Sequence, residues 1–151
     1  MNPGSVFAGV CAFFSAALVG LWVKRKLFRK AAFYADYYEY LVFANEKISY
    51  ERMPIGELNA RFFEKKKGEF ISFLKGEKSE PPIKESEISE ITRYLAGIGM
   101  TDADTQIASL NAKCAELKRF NEKEGVKYRK DGSLYFKLSV LVGIAAFVLL
   151  V

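Results

Sequence analysis

The stretch VFAGVCAFFSAALVGLWV, residues 6–23, contains no charged side chain and is the starting point for interpreting the rest of the chain. An α-helix needs about 20 mostly apolar residues to cross a bilayer, so this stretch predicts a membrane-spanning helix. A second apolar stretch, LSVLVGIAAFVLLV, occupies residues 138–151 and reaches a similar length when residues 134–136 are included. Lys137 would then extend its charged end to the lipid headgroups along its apolar stem. The sequence therefore predicts a protein tethered to a membrane at both ends.

Cations cluster on the inner side of both apolar stretches. They are Lys24, Arg25, Lys26, Arg29 and Lys30 after the first stretch, and Lys127, Arg129, Lys130 and Lys137 before the second. The positive-inside bias therefore predicts a cytoplasmic middle region, with both termini on the far side. A cleavable signal peptide is an alternative for the first stretch, but MNPGS, residues 1–5, lacks the cationic side chains of such a signal. A buried core helix is the alternative for the second stretch.

The middle region has helical periodicity and no useful alternation of period two, so we predict an all-α protein. Its expected architecture is a helical bundle or hairpin flanked by N- and C-terminal transmembrane helices. Three domains are predicted: a transmembrane helix at residues 1–23, a cytoplasmic helical domain at residues 24–133 and a second transmembrane helix at residues 134–151.

Apolar positions spaced by three and four predict that the first helix continues from the membrane to residue 48, and Pro54 ends this helix or opens the next one. The many aromatic residues of this helix favour a core face, although a partner groove or a belt at headgroup level is an alternative. A second helix is expected over residues 55–74, with Leu58, Phe62, Phe70, Phe73 and Leu74 toward the core. The lysine run at residues 65–67 is typical of a solvated face, with an acidic partner or lipid headgroup as the alternative.

The loop GEKSEPPIK, residues 76–84, precedes a third helix at residues 85–96, which Gly97 and Gly99 are expected to close. Thr101 is predicted to cap a fourth helix, with Asp104 in its first turn; a cation site made by Asp102 and Asp104 is the alternative. The fourth helix repeats apolar residues at a and d spacing and should lie antiparallel to the first. Its apolar positions are Ile107, Leu110, Cys114 and Leu117. The glycines at 125 and 132, with Asp131, predict a flexible joint before the second span.

The composition argues against several classes of function. The chain has no histidine, which removes the commonest acid–base group and metal ligand, and it has no Gly-rich phosphate loop. The positions of Cys11 and Cys114 support neither a disulfide nor a metal site. The net charge of +5 is explained by the cations beside the two spans rather than by nucleic-acid binding. We therefore expect a protein that is not an enzyme and that binds no cofactor, metal or nucleic acid. Catalysis by carboxylate or lysine side chains is the alternative that composition leaves open.

Three segments resemble the stage III sporulation protein AB family of endospore-forming bacteria. EKISY at residues 46–50, followed by PI and EL at residues 54–55 and 57–58, is similar to the family's E-I-x-Y, P-L and E-A/L pattern. LAGIG at residues 95–99, followed by Asp102 and Gln106, resembles its L-G-x-x-D-x-x-x-Q segment. GSLYFKLS at residues 132–139, followed by VG at 142–143, is similar to its G-K-L-Y-R-S-L-G-x-L-x-G segment. The order of these motifs between two terminal spans carries the resemblance.

The resemblance implies a function. That family belongs to a membrane complex connecting mother cell and forespore, and its helical domain is similar to the platform protein of type II secretion and type IV pilus machines. The chain is accordingly expected to be a non-catalytic adaptor in the mother cell membrane around the forespore. Its implied partners are a secretion-type ATPase, other channel subunits and the lipid bilayer.

Two turns are the expected contact sites, because contacts are usually made on loops. The candidate residues are Tyr50, Pro54 and Glu57 at the first turn, and Gly97, Gly99 and Asp102 at the second. Turn and cap formation is the alternative for all six and is favoured for the glycines. The alternative function is a self-assembling structural membrane protein without an ATPase partner. Such a hairpin-like protein would oligomerise or shape lipid and use Gly9, Gly20 and Gly143 for close helix approach.

Overall fold

The computed structural model describes residues 3–77 and 80–150 and is 87% helical, with no strand in that part of the chain. The predicted all-α class is confirmed. The helices are α1 (Pro3–Glu51), α2 (Ile55–Lys65), α3 (Glu69–Leu74), α4 (Glu85–Gly97), α5 (Ala103–Phe120) and α6 (Val126–Leu150), with a π-helical turn at Asn121–Gly125 before α6. The first two residues, two residues of the predicted loop at 76–84 and the last residue of the second apolar stretch lie outside the described residues.

The chain divides into two compact units. The apolar unit comprises Met1–Arg29 and Val126–Val151, and the helical unit comprises Lys30–Gly125. Helix α1 runs through the first boundary without a break. The domain limits expected at 23/24 and 133/134 stay predictions, and they fall within the apolar unit as the structure divides it.

Two helical stretches are long and apolar enough to cross a membrane, judged by length and composition. They lie in Pro3–Glu51 and in Ala103–Leu150, and only 11% and 6% of their most apolar windows are buried. A core helix of a water-soluble protein would have most of such a window buried. The two helices therefore indicate association with a membrane. The cytoplasmic orientation of the middle region stays a prediction.

Glycine governs the packing of α1 against α6 inside the apolar unit. A Cβ atom added to Gly20 would lie 2.5 Å from the Ser139 Cβ, and one added to Gly143 would lie 3.0 Å from the Phe13 ring. Small residues of this kind let two membrane helices approach closely. Gly132 acts in the same way, because an added Cβ would lie 3.2 Å from the Phe28 ring.

The core of the helical unit is built on α1. Phe33, Tyr37 and Leu41 are almost completely buried, and aromatic residues of α3 and α5 pack against this helix. The Phe33 and Phe70 rings lie edge to face with their centroids 5.3 Å apart. The core interpretation of the aromatic face is therefore correct for these residues. The core positions predicted on residues 55–74 are also confirmed, since all of them are buried or packed against the core.

Helix α5 lies antiparallel to α1, as predicted. In the middle of α5, Asn111 accepts a hydrogen bond from Asn45 at 2.7 Å, whereas Phe120 at its end packs on Tyr34 at 4.5 Å between ring centroids. Asn121 then donates to the Tyr34 carbonyl oxygen at 3.2 Å. The chain order of the contacts is thus reversed between the two helices.

The expected single helix over residues 55–74 is wrong. Helix α2 ends at Lys65, and α3 begins at Glu69 after an extended connection. At Gly68 the connection passes directly against the Asp36 carboxylate of α1, which would have to shift to admit a Cβ. Lys66 forms an ion pair with Glu39 of α1 at 2.6 Å. The contacts of the connection with α1 replace a continuous helix.

Two further local predictions need correction. Asp102 rather than Thr101 caps α5, because its carboxylate accepts a hydrogen bond from the Thr105 N–H at 3.1 Å. Helix α6 runs unbroken through the segment around Gly132, where a flexible joint was expected. Gly132 is buried against Phe28, so this glycine serves helix packing rather than a break.

Candidate functional site

The two turns that the sequence singled out lie against each other in the helical unit. The first joins α1 to α2, and the second joins α4 to α5. They meet where Gly99 packs on Ile55, since a Cβ added to Gly99 would lie 2.5 Å from the Ile55 Cδ1. We refer to residues 50–57 and 97–102 together as the two-turn end.

The first turn has an unusual backbone. Arg52 ends α1 with φ of 47°, in the left-handed region that glycine or asparagine usually occupies. The next residue, Met53, is buried in the core, and Pro54 occupies the N-cap of α2. The proline suits this place because the start of a helix leaves its missing N–H without consequence. The strained turn leaves Tyr50 on the outside, 86% exposed.

Charged side chains bridge the two helices beside this turn. Arg61 of α2 donates to Glu57 at 2.7 Å and lies 3.6 Å from a Glu51 carboxylate oxygen. Lys47 also bonds to Glu51. Its hydrogen bond, followed by the nearby positive charges, holds the pKa of Glu51 below its ordinary value. These pairs are exposed and therefore contribute little stability.

The second turn is held by Gln106, which is 5% exposed. Its side-chain oxygen accepts hydrogen bonds from the Gly99 N–H at 2.8 Å and from the Thr101 hydroxyl at 3.2 Å. Gly99 has φ of +90°, a conformation that favours glycine. The Asp102 carboxylate accepts from the Thr105 N–H and hydroxyl, which hold its pKa below the ordinary value. The side chains of Gln106 and Asp102 therefore define the shape of the turn.

The helical unit exposes few large apolar side chains. Across the described residues of this unit they are Val42, Tyr50 and Met100, at 40%, 86% and 82% exposure. The two most exposed belong to the two turns that touch. Single exposed apolar residues are common on protein surfaces, whereas an exposed aromatic and a methionine on adjoining loops are typical of a contact surface.

The structure brings most of the predicted site residues together. Pro54 lies on the first turn, and Tyr50 of α1 and Glu57 of α2 flank it; all three are exposed. Gly99 and Asp102 shape the second turn. Gly97 differs because it is the last residue of α4, and a Cβ there would meet no atom within 4 Å. Its place therefore does not require a glycine.

Two residues of the two-turn end escaped the sequence analysis. Met100 is a large apolar side chain directly before the polar residues Thr101 and Asp102, which was a usable signal. Arg52 gave no signal, because a left-handed residue at that position is normally indicated by glycine or asparagine.

The predicted cations beside the spans have different surroundings. Lys24 lies over the Phe28 and Phe136 rings at 5.6 and 5.2 Å, and Lys26 lies over Trp22 at 5.3 Å. Lys30 belongs to the helical unit and bonds to Glu87 at 3.1 Å. Burial opposes ionisation of Glu87, but hydrogen bonds from the Lys84 N–H, the Tyr34 hydroxyl and Lys30 hold its pKa below the ordinary value.

Within residues 3–77 and 80–150, no group of three or more histidine, cysteine, aspartate or glutamate side chains is arranged to hold a metal ion. Asp102 is engaged by Thr105, which leaves the alternative of a cation shared with Asp104 without support from the structure. The arrangement of the two-turn end can provide surface contacts through an aromatic ring, a thioether and flanking charges.

The family model described as stage III sporulation protein AB matches residues 70–151 of the chain. The match includes the second turn, α5 and α6. No curated protein and no solved structure shows a significant match.

Proposed function

The chain belongs to the stage III sporulation protein AB family, and from that premise we propose that it is a non-catalytic membrane adaptor of the channel between mother cell and forespore. Its apolar unit anchors it in the mother cell membrane and meets other channel subunits. Its helical unit faces the cytoplasm and docks a secretion-type ATPase during endospore formation.

Family membership gives the chain a role in sporulation, and the family is a structural one rather than a known enzyme family. The docking part of the proposal rests on one observation. Of the three large apolar side chains that the described helical unit exposes, the two most exposed belong to the two-turn end: Tyr50 in the last turn of α1 and Met100 in the turn after α4. The two turns touch through Ile55 and Gly99. A partner that covers this end would bury both side chains at once.

The alternative function, self-assembly without an ATPase, would draw on glycines for contacts between copies. Gly20 and Gly143 lie against Ser139 and Phe13 of the same chain, and Gly9 is buried as well. Their use within one copy favours the adaptor proposal. Self-association is the competing outcome of the experiment that follows.

The test is an affinity purification of the full chain from sporulating cells after crosslinking in vivo. Three forms are compared: the natural chain, the double variant Tyr50→Ala with Met100→Ala, and the control Val42→Ala, which removes the third exposed apolar side chain. The natural chain and the control should recover a secretion-type ATPase. The double variant should recover at least about tenfold less ATPase, because a central aromatic anchor typically contributes about 2 kcal/mol or more to the free energy of binding.

Glu57→Gln serves as a second probe of the first turn, since it removes charge from an exposed side chain and leaves the core untouched. Normal recovery of the ATPase by the double variant, with its helical content preserved, would place the docking surface elsewhere. Recovery of the natural chain alone, as a ladder of its own multimers, would replace the adaptor proposal by self-assembly.

A further inference from the structure

A cleft of about 450 Å³ opens between α1 and α6 within the apolar unit. Arg129, Ser133 and Lys137 line it at intervals of four residues along α6, so they share one face of that helix. Lys130 adds a third cation. The lining contains no acidic residue, which leaves the cleft strongly cationic.

The opposite side of the cleft is apolar. The Phe28 ring of α1 forms one wall and Leu134 of α6 another, with Leu134 54% exposed. Gly132 allows this arrangement, because its missing Cβ leaves room for the Phe28 ring. The cleft therefore offers hydrocarbon contact and positive charge side by side.

The cations of the cleft have no competing partner in the described part of the chain. No hydrogen bond or ion pair there engages Arg129, Lys130 or Lys137. Lys24, by contrast, lies over the rings of Phe28 and Phe136. Three unpaired cations around one cleft favour an anionic ligand.

We propose that this cleft binds the headgroup of one anionic phospholipid, with the phosphate against Arg129, Lys130 and Lys137 and the start of an acyl chain against Phe28 and Leu134. The Ser133 hydroxyl donates to a phosphate oxygen. Basic pockets between membrane helices are suited to anionic headgroups, and the apolar stretch of α6 follows directly after Lys137 in the chain. A soluble anion would leave the apolar wall unused. The inference is independent of the proposed ATPase docking.

The test is native mass spectrometry of the full chain released from neutral detergent after incubation with equal amounts of phosphatidylglycerol and phosphatidylcholine. The natural chain should retain one phosphatidylglycerol. The variant Arg129→Gln with Lys137→Gln should retain it about 30-fold more weakly, since each cation near a membrane surface contributes roughly a factor of five. Its charge-matched control is Arg25→Gln with Lys127→Gln, which removes two exposed cations outside the cleft and should keep the lipid.

A second variant separates shape from charge. Ser133→Leu keeps every cation but fills the cleft, and it should also lose the bound lipid. Circular dichroism establishes that each variant keeps its helical content. Equal losses in the two double variants, or full binding by Ser133→Leu, would overturn the proposal. Displacement of the lipid by glycerol phosphate alone would also overturn it, because the site would then be one for soluble anions.

Discussion

The two units of this chain bury opposite kinds of residue. In the helical unit the buried positions are filled by large side chains such as Phe33, Tyr37 and Phe70. In the described part of the apolar unit only glycines are buried, namely Gly9, Gly20, Gly132 and Gly143. Sixteen of the nineteen exposed large apolar side chains of the described residues belong to the apolar unit.

The difference follows from the surroundings in which each unit is stable. In water, apolar side chains drive folding by leaving the solvent, so the largest ones collect in a core. In a bilayer they gain nothing by leaving the lipid, and helices associate instead where small residues permit close packing. The pattern of burial thus distinguishes a water-facing unit from a membrane-facing one.

The largest expected effect is the loss of a core aromatic in the helical unit. Phe70→Ala removes a completely buried ring that packs on Phe33, Tyr37 and Tyr40, and should lower the free energy of unfolding of that unit by about 3–5 kcal/mol. Urea titration of the full chain in neutral detergent measures this change. The control Phe14→Ala removes a ring that is 60% exposed in the apolar unit and should leave the transition unchanged. Equal effects of the two variants would erase the distinction between the units.

A smaller effect is expected from enlarging a buried glycine in the apolar unit. Gly20→Leu should force α1 and α6 apart at Ser139, at a cost of about 1–3 kcal/mol. Crosslinking by a short bifunctional thiol reagent between cysteines placed at Phe13 and Phe147, which line one apolar pocket, reports on the contact between the helices in a Cys11→Ser background. It should fall about fivefold or more.

Gly4→Leu is the control for this experiment, because a Cβ at Gly4 meets no atom within 4 Å. Unchanged crosslinking in the Gly20→Leu protein would mean that glycine does not set the distance between these helices.

Two buried tyrosines on α1 should respond differently to loss of the hydroxyl, with smaller changes in stability than those above. The Tyr40 hydroxyl donates to Asn59 at 2.7 Å, whereas the buried Tyr37 hydroxyl has no hydrogen-bond partner among the residues that the structure describes. Burial, followed by the nearby charge of other residues, raises the pKa of Tyr37 well above its ordinary value, so this hydroxyl stays neutral. Tyr40→Phe should cost about 1 kcal/mol in urea titrations, and Tyr37→Phe should leave stability unchanged or raise it. Equal losses would show that Tyr37 has a partner in solution.

The smallest expected effect depends on pH. Burial, followed by the charges of Glu39 and Glu69, raises the pKa of Asp36 above its ordinary 3.8, while Lys66 opposes this. Because the folded state favours the protonated form, the contribution of Asp36 to stability is complete below that ordinary value and is lost as pH rises through the raised pKa. Asp36→Asn should therefore be more stable than the natural chain at pH 7, by a margin that shrinks as pH falls toward 3.8 in urea titrations.

Glu87 supplies the matched control of opposite sign. Its pKa is lowered, so its contribution is present above the ordinary 4.5 and is lost as pH falls through the lowered value. Glu87→Gln should thus be less stable than the natural chain at pH 7. If both substitutions stabilised the protein at pH 7, the opposite pKa shifts of Asp36 and Glu87 would be contradicted.

Sequence patterns predicted the fold class, the apolar helices and the antiparallel pairing of α1 with α5. These features follow from periodicity along neighbouring residues, which the sequence displays directly. The break between α2 and α3 was missed because Gly68 packs against Asp36, a residue distant in the chain. A flexible joint was predicted at Gly132 for the same reason, because local sequence propensity does not reveal its contact with Phe28.

The candidate site was predicted in part. The two turns were identified from their glycines, proline and capping residues, but their contact through Ile55 and Gly99 required the folded chain. The choice of Thr101 as the cap failed because Asp102 beside it caps equally well, and side-chain geometry decides between them. Exposure of Met100 is a property of the three-dimensional surface.

The most direct test of the adaptor account is site-specific photocrosslinking in sporulating cells. A photoreactive amino acid replaces Tyr50 in one strain and Val42 in another, both exposed in the helical unit. The account predicts a crosslink from position 50 to a secretion-type ATPase and none from position 42. Crosslinks from position 50 only to other copies of this chain, or equal ATPase crosslinks from both positions, would contradict it.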